Sequence, residues 1–401
     1  MLASEAQRLK TLEGVCANRA DYYAYRGLVA LQQNQPAVAV EWLERALLLD
    51  PQLAGVQVDY ARALALSGDK AAAANLAREL LNRPDLPATV AAWLPGQYRD
   101  WALDEAWVAR FSVATLAGYE TNLNSAPQNP FITLTLGSGD LQMQLSPQYL
   151  ARQGAAAQIV ASGVVGKETG TDALAVVGQV QARGSNYGDT SYQQADLAVL
   201  WHHALEQGGT LLRTDLVSLR YAGQELYQSV RLEPDYEFKP WGVCQPRLGV
   251  LYNAYVYPVS PELDGRYVGL VGGGTCVVGE NQWRAQLGGG HDAAAYSNRP
   301  GGAERVTELS LGWNRPLGRG SVDVQTLWGH IRDDQGYSPL LASGATRDVT
   351  HQYLKLEYDH PLTAAWEFLV YGEINQQQSN VSLFSVTDHA IYTGLRWKTP
   401  Q

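Results

Sequence analysis

Residues 304–315 read ERVTELSLGWNR, and what matters in them is alternation. Thr307, Leu309, Leu311 and Trp313 fall on one side of an extended chain, and Glu308, Ser310, Gly312 and Asn314 on the other. Successive side chains of a strand point to opposite faces, so this stretch is a strand with one apolar and one polar face. The period of two recurs in AWVARFSVATLAGY (106–119), where Trp107, Phe111, Val113 and Tyr119 oppose Arg110, Ser112 and Gly118. It recurs again in THQYLKLEYDHPL (350–362), where Leu354, Leu356 and Tyr358 oppose Tyr353, Lys355, Glu357 and Asp359. Followed to the C-terminus, it predicts about fourteen strands: 106–119, 153–167, 173–187, 191–205, 209–222, 225–238, 243–257, 264–278, 281–296, 304–317, 320–333, 347–362, 364–379 and 385–398.

These strands are long. Soluble strands usually run about 5 or 6 residues, whereas about 9 to 11 cross a bilayer at barrel tilt. Their connections alternate as well. Tight turns such as GTD, EQGG, PLGRG and PLTAA follow the even strands, and long links such as 120–152 and 334–346 follow odd ones. A soluble sandwich has no reason to keep every second turn short, but an outer-membrane barrel has short periplasmic turns and long outer loops. The reading is therefore a transmembrane antiparallel β-barrel over 106–401, with both its ends on the periplasmic side. The segment FITLTLGSGDLQMQL (131–145) alternates too, but its arms are too short to span; it reads as a folded loop hairpin, and counting it would raise the total to sixteen. YTGLRW (392–397) resembles the final-strand signal read by barrel-insertion machinery, without the usual terminal aromatic.

Residues 1–105 have a different period. VAVEWLERALLLD and AAAANLAREL are helical in composition and spacing, and a shift of 34 reveals a repeat. Gly27, Ala39, Ala46 and Pro51 match the small-residue and terminal-proline positions of the tetratricopeptide pattern, and Ala61, Gly68, Ala73 and Pro84 continue it. The resemblance is to tetratricopeptide helical hairpins over roughly residues 20 to 86. In that register Asp21, Leu28, Gln32, Arg62 and Leu66 line the concave side, where such repeats capture a segment of a partner protein.

Composition narrows the function. The 401 residues carry a net charge of −10, only 17% are charged, and no lysine or arginine cluster suits nucleic acid. The longest apolar runs fall short of the ~18 residues of a membrane helix. MLASEAQRLK lacks the basic and apolar segments of a signal peptide, so the expectation is a mature chain whose signal was replaced by Met1. Cys16, Cys244 and Cys276 match no zinc motif. Cys244 and Cys276 begin one predicted strand and end the next, equidistant from a tip near Ser260, which sets them face to face for a disulfide in an oxidising compartment. Cys16 is left over.

The polar strand faces supply lumen candidates: Arg110, Asp196, Arg213, Asp215, Glu308, Asp323, Lys355, Glu357, Asp359 and Arg396. Their mixed signs fit a hydrated channel or an ion-paired, partly closed interior. The seven histidines are scattered, with neither HExxH nor GxSxG, so the expectation is no enzyme, no catalytic residue and no cofactor. Asp333 and Asp334 open an outer loop where two acids could bind a divalent ion or merely be solvated.

Helical repeats joined to a barrel, with GYETNLNSAP (118–127) just after the first strand, resemble the tetratricopeptide-barrel export proteins of Gram-negative bacteria, most closely the surface lipoprotein assembly modulators. The matching element is Gly118, Tyr119, Glu120, Asn122 and Asn124. The resemblance implies an outer-membrane export pore that moves a polypeptide client to the surface, with the repeats engaging it in the periplasm. Its partners would be outer-membrane lipids, the client and the insertion machinery. A second group of the same architecture exports polysaccharide, for which Tyr353, Glu357 and Asp359 would serve in the lumen; a passive porin or surface receptor is the remaining alternative.

Overall fold

The computed structural model describes residues 9, 13–16, 18–83, 86, 88–103 and 107–400. Pro84 and the boundary at 105/106 lie outside the described residues. The chain separates into two compact units, one of Met1–Val108 with Lys167–Ala173 and one of Ala109–Gly166 with Leu174–Gln401, and each is described by itself.

The first unit is helical. After a single turn at Glu13–Cys16 come α1 (Ala20–Gln32), α2 (Pro36–Leu49), α3 (Ala54–Ser67), α4 (Lys70–Leu81) and α5 (Ala88–Leu103). The shift of 34 carries α1 and α2 onto α3 and α4, and the repeated small residues lie where these helices pack. Ala39, Ala46, Ala61 and Ala73 are fully buried, and a side chain at Gly27 would run into Leu43 of the paired helix. Gly68 ends α3 in the left-handed region, at φ 102°, where glycine has no Cβ penalty. Asp69 then caps α4 by accepting the Ala72 N–H at 3.0 Å.

The second unit is a closed barrel. Its strands are β1 (Val108–Glu120), β4 (Gly154–Thr169), β5 (Asp172–Ser185), β6 (Tyr192–Leu205), β7 (Gly208–Tyr221), β8 (Gln224–Phe238), β9 (Cys244–Val256), β10 (Gly265–Val278), β11 (Asn281–Ala294), β12 (Glu304–Leu317), β13 (Gly320–Gly336), β14 (Thr346–Pro361), β15 (Trp366–Ser379) and β16 (Val386–Lys398). They pair in chain order, and β1 meets β16 to complete a fourteen-stranded wall. β2 (Phe131–Leu136) and β3 (Gly139–Gln144) form a separate two-stranded sheet. The sixteen-strand count is thereby corrected. Arms of six residues cannot run the height of a wall whose strands hold 13 to 17, so the hairpin folds back as a loop and bridges Leu134 to Leu341.

Loop asymmetry follows the expected order with one exception. The connection after β7 is only Ala222 and Gly223, yet it lies at the long-loop end; both residues have positive φ, 49° and 80°, as a two-residue hairpin turn of the primed type requires.

Register fixes which side chains face inward. The pairs Glu308↔Gly329, Asp323↔Glu357 and Glu357↔Tyr371 place the polar series of β12 to β15 on one surface, the lumen. The opposite series is apolar and exposed, including Leu216, Val230, Leu270, Leu287, Leu311 and Leu354. At the short-turn end Trp201, Phe238, Trp283 and Trp366 ring this outer surface. An apolar band with an aromatic girdle is the exterior that bilayer-spanning barrels present.

Candidate functional site

The interior of the barrel is the candidate site. All ten predicted lumen residues fall in the inward phase of their strands, but they do not form one cluster. Three tiers of ion pairs run along the wall instead, each built by neighbouring strands.

Near the short-turn end, Arg396 of β16 bridges Glu357 and Asp359 of β14, at 2.8 Å each. Lys355 approaches Glu357 at 2.7 Å, and Lys398 pairs with Glu367. At mid-height on the other wall, Arg213 binds Asp215 at 2.7 Å and Arg231 pairs with Glu233. Arg247 reaches Asp235 and, at 3.4 Å, Glu233. Arg284 meets Asp323 at 3.2 Å beside the first tier, where Asp323 is the register partner of Glu357, and on the other wall Asp196 accepts the Gln194 amide at 2.9 Å. Arg110 and Glu308 remain exposed on the inner surface. Two cavities lie along this wall. One, of about 640 Å³, is bordered by Arg213, Asp215, Arg231 and Glu233. The other, of about 590 Å³, is bordered by Arg284, Gln325 and Tyr353.

The tier at the long-loop end is buried. Arg299, from the loop before β12, reaches Asp292 and, at 2.8 Å, Glu304. Tyr255 donates to Asp292 at 2.7 Å. Arg347 joins Glu304 at 2.8 Å and Asp333 at 3.0 Å. Asp333 and Asp334 therefore do not act together, since Asp334 turns to Arg305 at 3.3 Å. Among the described residues no group of three or more metal-ligating side chains forms.

On the remaining wall the inward side chains are apolar and packed together. Ala114, Leu116, Ala156, Leu369, Tyr371, Ala390 and Tyr392 form one apolar cluster, and Leu123 enters it from the loop after β1. The GYETNLN element explains how. Gly118 faces the Tyr392 ring, which a Cβ would strike. Tyr119 points outward and is exposed. Glu120 is buried, paired with Arg183 and accepting the Tyr392 hydroxyl. Asn122 donates its amide N–H to Asp388 at 2.8 Å, and its side chain closes a turn with both backbone groups of Ala126. Asn124 ties the far end of the loop by bonding Leu150 and Arg152, at 2.9 and 3.0 Å. The element is a knot that folds Leu123 into the barrel mouth.

Cys244 and Cys276 are register partners and form a disulfide. They lie at the short-turn end, on the outward face, because Thr275 rather than Cys276 shares the inward phase of Arg247 and Gly273. Cys16 is a free, half-buried thiol.

In the helical unit, Arg62 and Leu66 of α3 line a cavity of about 540 Å³ with Lys70, Trp93, Gln97 and Trp101. Asp21, Leu28 and Gln32 are not brought there. They stand exposed on α1, and Asp21 accepts from Arg19, whose hydrogen bonds lower its carboxyl below the usual range.

Several residues escaped the sequence reading: Arg183, Arg299, Arg347, Glu120 as an ion-pair partner, and Tyr392. Each acts across strands or from a loop, and the alternation within a strand carries no signal for such pairing.

No family model and no curated protein matches this chain. Among solved structures it is similar to the outer membrane channel DcaP of Acinetobacter baumannii, with 12% identity over 73% of this chain and 97% of that one, at a TM-score of 0.41. It is also similar to an anion-selective porin from Comamonas acidovorans, with 10% identity over 73% and 99%, at 0.36, and to a loop-deletion mutant of OmpT of Vibrio cholerae, with 9% identity over 74% and 100%, at 0.37. Scores of this size carry no weight on what this chain transports.

Proposed function

We propose that this chain is an outer-membrane conduit that moves a client to the cell surface, its helical unit recruiting that client in the periplasm. The observation that carries the reading is the wall itself: fourteen closed strands with an apolar, aromatic-ringed exterior and a charged interior. Such a wall leaves no unpaired edge and suits hydrocarbon outside and water inside. Both ends of the barrel chain lie at the short-turn end, which in outer-membrane barrels faces the periplasm.

A polypeptide client is favoured by the repeated helical hairpins and by the groove of Arg62, Leu66, Trp93 and Trp101, where apolar contact and positive charge combine. In the lumen, the ion-pair tiers and the inserted Leu123 line the path that a polymer would take. Glu357 and Asp359 are engaged by Lys355 and Arg396, which weakens the case for a free acidic track for polysaccharide. A passive solute channel is the second reading, favoured by the two cavities of small-solute size beside the charged wall.

The test compares a strain lacking the protein with its complemented parent, reading surface proteins by mass spectrometry and surface polymer by sugar analysis. The expected result is loss of one or a few surface proteins, and removal of residues 1–105 should reproduce it. Loss of polymer with proteins intact would replace the polypeptide client. No change in either, with free conductance of the purified protein in a planar bilayer, would leave the solute channel.

A further inference from the structure

The outer surface of the barrel is indented. Over β4 to β10 the outward side chains enclose a concavity of about 1050 Å³ that runs diagonally up the wall. Gly178, Ala195, Leu216, Val230, Ala254 and Val256 are among its lining, all of them outward-facing and none charged. Small residues there matter physically, because Gly178 and Ala195 leave room that leucines would fill.

The long-loop end of the groove stops at Arg266 and at Asp264, whose carboxylate accepts the Tyr257 backbone N–H at 2.7 Å. Arg266 is exposed, and its register partners are Ala254 and Ala293, neither of which offers a counter-charge. Beyond it the same outward face carries basic and acidic residues together. His291, Arg305 and Arg332 are successive register neighbours across β11, β12 and β13, all exposed. Two acids sit among them: Asp334 binds Arg305 at 3.3 Å, and Asp348 lies opposite Arg332 and bonds His330 at 2.9 Å. Arg305 and Arg332 thus each have an acid beside them, whereas Arg266, at the end of the groove, has none among its register partners.

We propose that this groove is a binding site for a phosphorylated lipid of the outer leaflet, its acyl chains in the indentation and its phosphate on Arg266. The occupant follows from position and charge. In the membrane-spanning reading of the barrel, on which this rests, the apolar groove lies at hydrocarbon depth and Arg266 at headgroup depth, where an arginine is tolerated. A second protein chain would need to match both the diagonal groove and the arginine at its end; a lipid supplies an apolar tail and an anionic head in that order.

The experiment uses the full chain purified in dodecyl maltoside, titrated with diphosphoryl lipid A or its dephosphorylated form and read by native mass spectrometry. The diphosphoryl form is expected to bind at least about five-fold tighter, and R266A to lose about that factor, from the roughly five-fold each arginine contributes near an anionic headgroup. G178L, which fills the groove, should weaken both forms. Unchanged heat-modifiable gel mobility of both variants checks that they fold. Equal binding of the two forms, or R266A binding like the parent, overturns the proposal. Flotation with liposomes separates the two readings: a chain that fails to float refutes the membrane barrel itself, while one that floats but is indifferent to phosphate refutes only the site.

Discussion

Replacing Arg183 by alanine should be among the most damaging single changes in the barrel. Its guanidinium is buried and serves three acceptors: the Glu120 carboxylate, the Leu123 carbonyl at 2.7 Å and the Thr190 carbonyl at 2.6 Å. Its removal leaves two carbonyls short of a donor, about 1–3 kcal/mol for each that stays dry. It also strands the carboxylate, which keeps only the Tyr392 hydroxyl. Breaking a buried pair by deleting one partner costs about 3–5 kcal/mol in total, a hundred- to several-thousand-fold change in the folding equilibrium. The assay is urea unfolding of the barrel refolded into detergent or lipid, followed by tryptophan fluorescence. E120L/R183L removes the stranded charge but not the orphaned carbonyls, so it should recover about half the loss. The cycle of E120L, R183L and E120L/R183L should give a coupling above about 1 kcal/mol. A loss for R183A no larger than that of R284A, whose arginine is half exposed, or a coupling near zero, would refute this account of the mouth.

Three further outcomes are expected. Gly118→Val sets a Cβ against both the Ile391 backbone carbonyl and the Tyr392 ring and should destabilise the barrel by about 1–3 kcal/mol in urea unfolding, as overpacking does, with Gly118→Ala losing less. Arg396→Gln removes one of three cations facing three acids in the short-turn tier (Lys355, Arg396 and Lys398 against Glu357, Asp359 and Glu367), so the reversal potential in a salt gradient should shift toward cation selectivity. C244S/C276S should lower unfolding stability by about 3–4 kcal/mol, the chain-entropy value for a 32-residue separation, and reductant should reproduce this in the parent but not in the variant.

The alternation that placed Arg213, Glu308 and Asp359 on the inner surface was legible because a strand exposes its faces every second residue, with no knowledge of its neighbours. Loop asymmetry was legible for a similar reason: turns are local. What stayed hidden depends on register and closure. That Arg183 pairs with Glu120, 63 positions away, follows from the stagger around the whole wall, which no single strand encodes. Arg299 and Arg347 enter from loop and strand ends, where the period of two lapses. The small residues of the helical repeat were readable by their spacing, but only Arg62 and Leu66 of the five groove candidates share a cavity, because which helix faces stay open depends on how α5 packs. The indentation over β4 to β10 arises from the course of the whole wall, and a string of Ala, Gly and Val looks like any other lipid-facing run.

The knot at the mouth has a bearing on the order of events as the chain matures. Thr121 bonds Asp388 and Glu120 receives Tyr392, contacts separated by 267 and 272 positions along the chain. Partners so remote meet only when the last strand joins the first, after the loop-closure entropy of the whole wall has been met. Until then the segment after Glu120 lacks its ties to Asp388 and Tyr392, and the pocket of Leu123 lacks the Ala390 and Tyr392 side. The ordering of that segment is thus a built-in report of completion: a protease that nicks 125–150 in an unfinished chain should spare the finished one, and the moment of protection dates the sealing of the seam.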